Sequence, residues 1–360
     1  MLNCSAHQEL KLEFLYEYGL FIAKTATIVV AIGLVLGFIA GAAIKPKNSK
    51  KGELNIEYLS EEYQEDVKDL KKALLSKEQI KAFDKKQKAE DKSKKKENKK
   101  KSKSSTEDLE KSRLFVLEFD GDVEASATES LREEITAIVS IAEEGDRVLL
   151  NLESPGGVVH GYGLASSQIA RLKSKNIHTT VAVDKVAASG GYMMACVADE
   201  IVAAPFAIIG SIGVVAQLPN INKLLKKYDV EIEQHTAGEF KRTLTVLGEN
   251  TDTARTKFKE ELEETHVLFK EFVADNRPSV DIDKVATGEH WYGSQALTLN
   301  LVDRVMTSDD LLLEAVDKYD VYKIEYKVKH NIAERFGFAA STAITKLVGK
   351  LSTWSVTNTK

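Results

Sequence analysis

The stretch VAASGGYMMA, residues 186–195, marks the point where a strand ends and a helix begins. Small residues lead to a single hydroxyl at Ser189, two glycines follow it, and the pattern then becomes apolar. A strand-to-helix turn of this kind presents a nucleophile with open backbone around it. The four residues ASGG, 188–191, are also a common pattern in plain tight turns. A catalytic interpretation therefore requires a base and an oxyanion site elsewhere in the chain.

The segments on both sides of this turn alternate between strand and helix patterns. The predicted strands are Leu114–Phe119, Arg147–Leu152, His178–Val183 and Glu231–His235. The predicted helices are Ala125–Glu144, Val158–Lys173, Ile221–Tyr228 and Thr253–Asn276, with another that begins at Ser189. Apolar strands that alternate with helices indicate an α/β fold with a parallel sheet covered by helices.

A second glycine turn, Ser154–Gly157, directly follows the strand Arg147–Leu152. Gly156 and Gly157 leave backbone N–H groups unshielded, which suits one half of an oxyanion hole, and the N–H of Gly190 suits the other half. Proline before glycine is also an ordinary type II turn signal. The order of strand, glycine turn, helix, strand, serine turn and helix favours the functional interpretation.

Composition excludes several classes of function. The chain has 360 residues and a net charge of −5, and between Lys85 and Lys103 eleven lysines face three acidic residues. The remainder is acidic, so nucleic-acid binding by the folded part has no electrostatic support. Cys4 and Cys196 are the only cysteines, and the seven histidines are scattered. We therefore expect no metal and no cofactor.

The N-terminal part predicts a membrane anchor. After a flank of residues 1–24, residues 25–44 are uncharged and mostly apolar, long enough to cross a bilayer as an uncleaved helix. The basic residues that follow the anchor would leave the large domain in the cytoplasm by the positive-inside tendency.

The remaining boundaries follow from charge and periodicity. Residues 45–113 predict a charged, Lys-rich linker that is partly helical over Glu61–Phe83. Its lysine run is either a solvated tether or a contact for anionic lipid headgroups. Residues 114–330 predict the folded domain, and residues 331–360 an amphipathic tail. The tail would serve as a packing helix, an oligomer contact or a membrane-surface helix.

The residues alone leave the identity of the base open. Lys241 lies in GEFKR, residues 238–242, and Lys185 lies four residues before Ser189. His160 and His178 lie near the two turns but in no evident motif. A lysine base functions near neutral pH only where it is kept dry, because burial lowers the pKa of an amine.

Four motifs taken together resemble the signal peptide peptidase A family of Ser/Lys proteases. In chain order they are SPGG (154–157), AASGGY (187–192), GSIGVV (210–215) and GEFKR (238–242). The resemblance implies that Ser189 is the nucleophile, Lys241 the general base and Ser211 the group that orients the lysine amine. It also assigns the oxyanion donors to Gly190 and to the glycine pair, with Gly157 preferred over Gly156.

A later segment, residues 288–296, resembles the family's Gly-x-x-Trp-x-Gly-x-x-Ala element. Asn300 stands where the family has the glycine that precedes Leu-Val-Asp. Asparagine tolerates the left-handed backbone conformation better than most residues, so we expect the fold to accommodate it.

The resemblance further implies a ClpP/crotonase-like spiral of ββα units and a homo-oligomer. The anchor makes the chain most similar to the family's single-pass inner-membrane peptidases. These imply a serine endopeptidase that cleaves signal-peptide remnants or other membrane-derived polypeptides, and they favour the periplasmic face. Two alternatives remain: a crotonase-type acyl-CoA enzyme with a similar backbone oxyanion hole, and a non-catalytic membrane scaffold that retains a protease fold.

Overall fold

The computed structural model of the protein describes residues 18–22, 24, 25, 27, 28, 52–86 and 111–328. Its contacts divide the chain into two compact units, of which Glu53–Lys327 is one, and Met1–Gly52 with Val328–Lys360 is the other. Within the described residues, no helix has the length and apolar character needed to span a membrane. Most of the predicted anchor and all of the predicted tail lie outside the described residues.

The unit Glu53–Lys327 alternates strands and helices. The strands are β1 (Glu53–Tyr58), β2 (Arg113–Asp120), β3 (Arg147–Glu153), β4 (His178–Val183), β5 (Val186–Ala188), β6 (Glu200–Ala203), β7 (Ile208–Gly210), β8 (His290–Tyr292), β9 (Arg304–Val305) and β10 (Asp320–Lys327). The helices are α1 (Leu59–Ala73), α2 (Thr128–Ile141), α3 (Val159–Lys173), α4 (Gly190–Ala195), α5 (Asn222–Lys227), α6 (Asp252–Asn276), α7 (Ile282–Val285), α8 (Gly293–Thr298) and α9 (Ser308–Val316).

Two sheets organise these elements. The main sheet has seven strands in the order β1-β10-β2-β3-β4-β6-β9, all parallel except for the antiparallel pair of β1 and β10. Residues of β2 alternate between two apolar clusters: Phe115 and Leu117 pack on one face, and Leu114 and Val116 on the other. Both faces are covered, which explains why the central strands are almost continuously apolar.

A small sheet of β5, β7 and β8 lies next to the active-site candidates. β4 leads into β5 and then α4, so a strand of the main sheet is followed by a strand of the small sheet and a helix. β3 is extended by Ser154, which forms an isolated bridge with Ala187 of β5. The Ser154 N–H donates to the carbonyl of Val186 at 2.8 Å, and Ala188 N–H donates back to Ser154 at 3.0 Å. These bonds place the glycine turn beside the serine turn.

The predicted α/β class, with a parallel sheet covered by helices, is confirmed. Two details differ from the sequence expectations. Glu231–His235 forms no strand but an exposed loop, since its alternating residues find no partner strand. β1 lies in the stretch predicted to be a linker, because pairing with β10 at the far end of the unit creates a strand that local composition does not signal.

Glu134 on α2 is a buried carboxyl group in the unit, only 4% exposed. Its Oε1 accepts a hydrogen bond from the N–H of Tyr326 in β10 at 2.7 Å. Burial raises the pKa of Glu134 to about 7, although the backbone hydrogen bond acts in the opposite direction; Glu325 and Glu118 add smaller repulsions. The carboxyl is therefore protonated in the folded state at a pH where the unfolded chain has already lost the proton.

Replacement of Glu134 by Gln should remove a pH dependence of stability. Between about pH 4.5 and pH 7, Glu134 holds a proton in the folded state that it has lost in the unfolded state. The free energy of unfolding of the wild type therefore falls as the pH rises through this range. Gln keeps the acceptor for Tyr326 and carries no charge. In urea unfolding, we expect the free energy of unfolding of the variant to be roughly 2–3 kcal/mol higher than that of the wild type at pH 8. The two values should be equal near pH 4.5.

Glu129→Gln on the exposed side of the same helix provides the control. Its difference from the wild type should be small at every pH, because surface ion pairs contribute little. A constant difference between Glu134→Gln and the wild type across this range would contradict the assignment of the shift to burial.

Candidate active site

Ser189 occupies a strained turn at the start of α4. Its backbone has φ +51° and ψ −117°, a combination that L-residues rarely adopt. The Ser189 N–H donates to the carbonyl of Gly210 at 2.8 Å, and its own carbonyl accepts from Met193 at 2.9 Å. Pairing on both sides holds the residue in this conformation, which is the geometry of a nucleophile elbow.

The Ser154–Gly157 turn lies against this elbow so closely that side chains are excluded. Gly156 has φ +89°, and a Cβ there would lie 2.7 Å from both the Ala188 carbonyl oxygen and the Ser189 Cβ. A Cβ on Gly157 would overlap the carbonyl oxygen of Val123. The two glycines are therefore required by backbone conformation and by space.

The two glycines that follow Ser189 are required for the same reason. A Cβ on Gly190 would overlap the ring of Tyr162, and one on Gly191 would lie 2.6 Å from the carbonyl oxygen of Ser154. The first turn of α4 thus packs directly on Tyr162 and Ser154.

A chain of hydrogen bonds holds the Ser154–Gly157 turn in place. Gly156 N–H donates to Ser154 Oγ at 3.1 Å, Ser154 Oγ lies 2.6 Å from Tyr162 Oη, and Tyr162 Oη donates to the Asp122 carbonyl at 2.7 Å. A carbonyl only accepts, so the Tyr162 proton points to Asp122 and the Ser154 hydroxyl must donate to Tyr162. Burial raises the pKa of Tyr162, which keeps this phenol protonated.

The network also separates the two candidate oxyanion donors of the turn. The Gly156 N–H is already paired with Ser154 Oγ. The N–H groups of Gly157 and Gly190 have no acceptor among the described residues, and Gly190 is the first residue of α4, where no intrahelical partner exists. Gly157 and Gly190 are thus the free donors beside Ser189, with Gly156 in a supporting role.

A cavity of about 960 Å³ is lined in part by residues of the two turns. The apolar side chains that line it are Val123, Pro155, Val158, Val159, Met193, Val214, Val215 and Phe269. The polar side chains that line it are Ser189, Ser211, Gln217, Thr265, His266 and Thr287. A volume of this size accommodates several residues of an extended peptide in a mostly apolar environment.

Ser211 lies at this cavity, and Lys241 does not. Ser211 also has a left-handed backbone, with φ +52°, and its N–H donates to the Glu289 carbonyl at 2.7 Å. Lys241 is exposed and is not among the lining residues. Within one chain, the structure thus brings together Ser189, Ser211 and the three glycines, but not the predicted base.

Lys241 belongs to a long excursion between β7 and α6, residues 214–250, which we call the Lys241 arm. The arm folds back on itself: Asn220 Nδ2 donates to the carbonyl of Thr245 and Asn222 Nδ2 to that of Leu247, both at 2.8 Å. Thr243 is tied to Glu261 of α6 at 3.3 Å. These bonds hold the arm together while leaving Lys241 in solvent.

The alternative bases near Ser189 do not fit the site better. Lys185 is exposed and pairs with Glu153 at 2.7 Å, an interaction that raises the pKa of its amine. His160 is exposed and does not line the cavity. His266 on α6 does line it, and no motif in the sequence points to this residue. Asn300 adopts φ +58°, so the left-handed conformation expected at this position is confirmed.

Comparison with family models identifies the chain. Residues 13–169 match the model described as "Peptidase family S49 N-terminal", and residues 171–322 match "Peptidase family S49". The chain belongs to peptidase family S49. This S49 member is a serine-type peptidase, since S49 is a family of serine peptidases.

Several curated relatives of this S49 peptidase carry the name "Probable protease SohB". The one from Haemophilus influenzae is 55% identical over 95% of this chain and 97% of its own length. The relative from Buchnera aphidicola subsp. Schlechtendalia chinensis is 51% identical over 84% of this chain and 99% of its own length. The one from Buchnera aphidicola subsp. Schizaphis graminum is 48% identical over 90% of this chain and 94% of its own length. The resemblance inferred from the motifs is confirmed, and the chain is a SohB-type S49 peptidase.

Tyr162→Phe should lower peptidase activity by disturbing the glycine turn. The variant keeps the ring under Gly190 but leaves the Ser154 hydroxyl and the Asp122 carbonyl without their partner. We expect the free energy of unfolding to fall by about 1–3 kcal/mol and kcat/KM to fall about tenfold, a fraction of the loss seen when an oxyanion donor is removed.

Tyr192→Phe is the matched control. Tyr192 is also fully buried and also donates to a carbonyl, that of Leu301 at 2.9 Å, but this bond does not touch the glycine turn. Urea unfolding should show similar losses for the two variants, whereas peptide hydrolysis should fall in Tyr162→Phe alone. Equal kinetics in the two variants would argue against a role of the network in positioning Gly157.

Proposed function

We propose that this S49 peptidase is a membrane-anchored endopeptidase that cleaves peptide bonds through an acyl-enzyme with a Ser/Lys dyad. The observation that carries the proposal is the left-handed turn at Ser189, which lies beside the unpaired N–H groups of Gly157 and Gly190 at one cavity. A serine elbow beside two preorganised donors is the arrangement that acyl transfer requires.

The reaction follows from the roles of these groups. Lys241 removes the proton of the Ser189 hydroxyl while Ser189 Oγ attacks the peptide carbonyl. The N–H groups of Gly157 and Gly190 stabilise the resulting oxyanion. The lysine then protonates the leaving amine, and water hydrolyses the acyl-enzyme by the reverse proton transfers. Ser211, at the same cavity, would hydrogen-bond the lysine amine and orient it.

The repeated order of main-sheet strand, small-sheet strand and helix supports a ClpP/crotonase-like spiral of ββα units. A crotonase-type acyl-CoA enzyme would share the backbone oxyanion hole. It would have no need for a serine in a strained turn between the two donors, and membership of a serine peptidase family favours the peptidase. The same membership weighs against a purely non-catalytic scaffold.

The cavity favours apolar, extended substrates. Five valines, Pro155, Met193 and Phe269 line it, and such side chains bind apolar peptide side chains by excluding water. Signal-peptide remnants and other membrane-derived polypeptides have this character, and we propose them as the substrate class.

We further propose that the active enzyme is a homo-oligomer in which a neighbouring chain supplies Lys241. The Lys241 arm exposes apolar side chains that a monomer would leave in water, among them Val215 at 90% and Tyr228 at 69% exposure. Contact between the arm and a second copy would cover this surface. It would also bring the amine into a dry environment next to Ser189, as a lysine base requires.

Ser189→Ala and Lys241→Ala should each abolish hydrolysis of an unfolded, apolar peptide when expressed alone. Co-expression of the two inactive chains should restore part of the activity, because mixed oligomers contain sites with an intact Ser189 from one chain and an intact Lys241 from another. The measurement is the hydrolysis rate of purified homo- and hetero-oligomers. An inactive mixture would contradict the supply of Lys241 by a neighbour.

Lys185→Ala provides the control in this experiment, since its lysine is exposed and paired with Glu153. It should retain activity near the wild-type level. Full activity of Lys241→Ala together with an inactive Lys185→Ala would transfer the role of the base to Lys185.

We propose that residues 25–44 anchor the enzyme in the inner membrane by a single span. Twenty successive uncharged residues match the thickness of the hydrocarbon core. We place the protease domain on the periplasmic face, following the family resemblance and against the lysines of residues 45–51.

The double substitution Leu34→Arg and Leu36→Arg should release the protein from the membrane, because each arginine in the centre of a span costs about 2.5–3.5 kcal/mol. Carbonate washing of membranes should leave the wild type in the pellet and the variant in the supernatant.

Leu70→Arg with Leu74→Arg, at two exposed positions in the last turn of α1 and directly after it, is the matched control and should stay in the pellet. Protease added to sealed spheroplasts should digest the domain of the wild type. Resistance until the spheroplasts are opened would overturn the periplasmic placement, and release of the wild type by carbonate would overturn the anchor.

A further inference from the structure

His266 lies on a rigid part of the cavity wall. It belongs to α6, which packs against α4, the helix that begins directly after Ser189. Phe269, one turn further along α6, is 4% exposed and lines the same cavity. The position of the His266 imidazole relative to Ser189 is therefore set by packed helices rather than by a loop.

The imidazole of His266 has no hydrogen-bond partner among the described residues. Its Nε2 is enclosed, whereas Nδ1 is not among the enclosed atoms and is the ring nitrogen that a molecule in the cavity can reach. Two other polar side chains at the cavity do have partners: Thr265 donates to the Glu261 carbonyl at 2.8 Å, and Thr287 donates to Glu289 at 2.7 Å. A ring nitrogen on the cavity wall that lacks such a partner is available for a hydrogen bond with a ligand.

A peptide bound in this cavity would have the opposite need. Every residue of its main chain carries an N–H donor and a carbonyl acceptor that lose their water on binding. The N–H groups of Gly157 and Gly190 serve only the carbonyl at the scissile bond, and most other lining side chains are apolar. A neutral imidazole offers one donor and one acceptor, so it can pair with either main-chain group.

We propose that His266 is a substrate-binding residue whose imidazole hydrogen-bonds the main chain of the bound peptide. This inference rests on the peptidase function proposed above and adds a hydrogen-bonding subsite for the main chain of the peptide. His266 holds the peptide in register with Ser189, while the proton transfers belong to the dyad.

Three variants test this assignment. His266→Phe keeps a planar ring without nitrogen, and His266→Leu is a second apolar variant in case the first fails to fold. His266→Gln retains a donor and an acceptor. His160→Gln is the control, since His160 is exposed, helical and away from the cavity. Thermal unfolding should show no loss of stability in any of them, because no hydrogen bond among the described residues is removed.

The kinetic readout is hydrolysis of a short labelled peptide of leucine and alanine. His266→Phe should lower kcat/KM roughly 3- to 10-fold, mainly through a higher KM, as expected for one hydrogen bond that forms in both ground and transition states. His266→Gln should recover most of this loss. Labelling of Ser189 by a small serine-reactive phosphonate without a peptide part should proceed at the wild-type rate in every variant.

Substituted peptides locate the bond. Replacing the amides of the peptide by esters, one at a time, removes one N–H and weakens one carbonyl. At the position that pairs with His266, the ester should lower kcat/KM of the wild type and leave His266→Phe unaffected. An ester series that affects both proteins equally at every position would overturn the proposal. Wild-type kinetics in both apolar variants would also overturn it, and so would loss of phosphonate labelling, which would assign His266 to Ser189 itself.

A binding measurement separates this inference from the peptidase function on which it rests. The same labelled peptide is titrated into Ser189→Ala protein with and without His266→Phe, and fluorescence anisotropy reports the affinity without any hydrolysis. Weaker binding to the double variant supports the subsite even if the wild type cleaves no peptide. Equal affinity rejects the subsite even if the peptidase function holds.

Discussion

The close approach of two backbone turns is the constraint on which the site depends. Ser189 keeps a left-handed conformation only because Gly156 leaves room for its Cβ and because Gly190 and Gly191 pack against Tyr162 and Ser154. The isolated bridge from Ser154 to Ala187 sets this distance, and the parallel pairing of β3 with β4 sets the bridge. A shift in the main sheet would thus displace Ser189 and the N–H groups of Gly157 and Gly190 together.

A chain of hydrogen bonds next to these turns makes the N–H groups of Gly156 and Gly157 different from each other. Gly156 donates its N–H to Ser154, and the Tyr162 hydroxyl completes the chain to Asp122, whereas the N–H of Gly157 has no acceptor among the described residues. Such preorganisation costs no rearrangement when charge develops in the transition state. It also explains why Ser154, fully buried and remote from solvent, is part of the motif SPGG.

The proposed base, Lys241, lies on an exposed part of the same unit and away from the cavity. The Lys241 arm is held to itself and to α6, and it exposes both its lysine and its apolar side chains. An exposed Lys241 and a Ser189 held in a rigid turn are compatible with the proposal that a second copy completes the site. His266 has a contrasting position: it lies on a packed helix, and its ring has no hydrogen-bond partner among the described residues.

Sequence alone determined the local elements and the chemical groups. Apolar periodicity located β2, β3, β4, α3 and α6 to within a few residues, and the glycine and serine turns were evident from residue type, because each depends on neighbours along the chain. Only the tertiary structure decided the rest. β1 depends on pairing with the distant strand β10, where Tyr58 lies opposite Tyr322. The exposure of Lys241 and the unpaired ring of His266 also depend on residues distant in sequence, whereas the Gly156 N–H pairs locally with Ser154. Packing brings these groups together, and no local pattern records it.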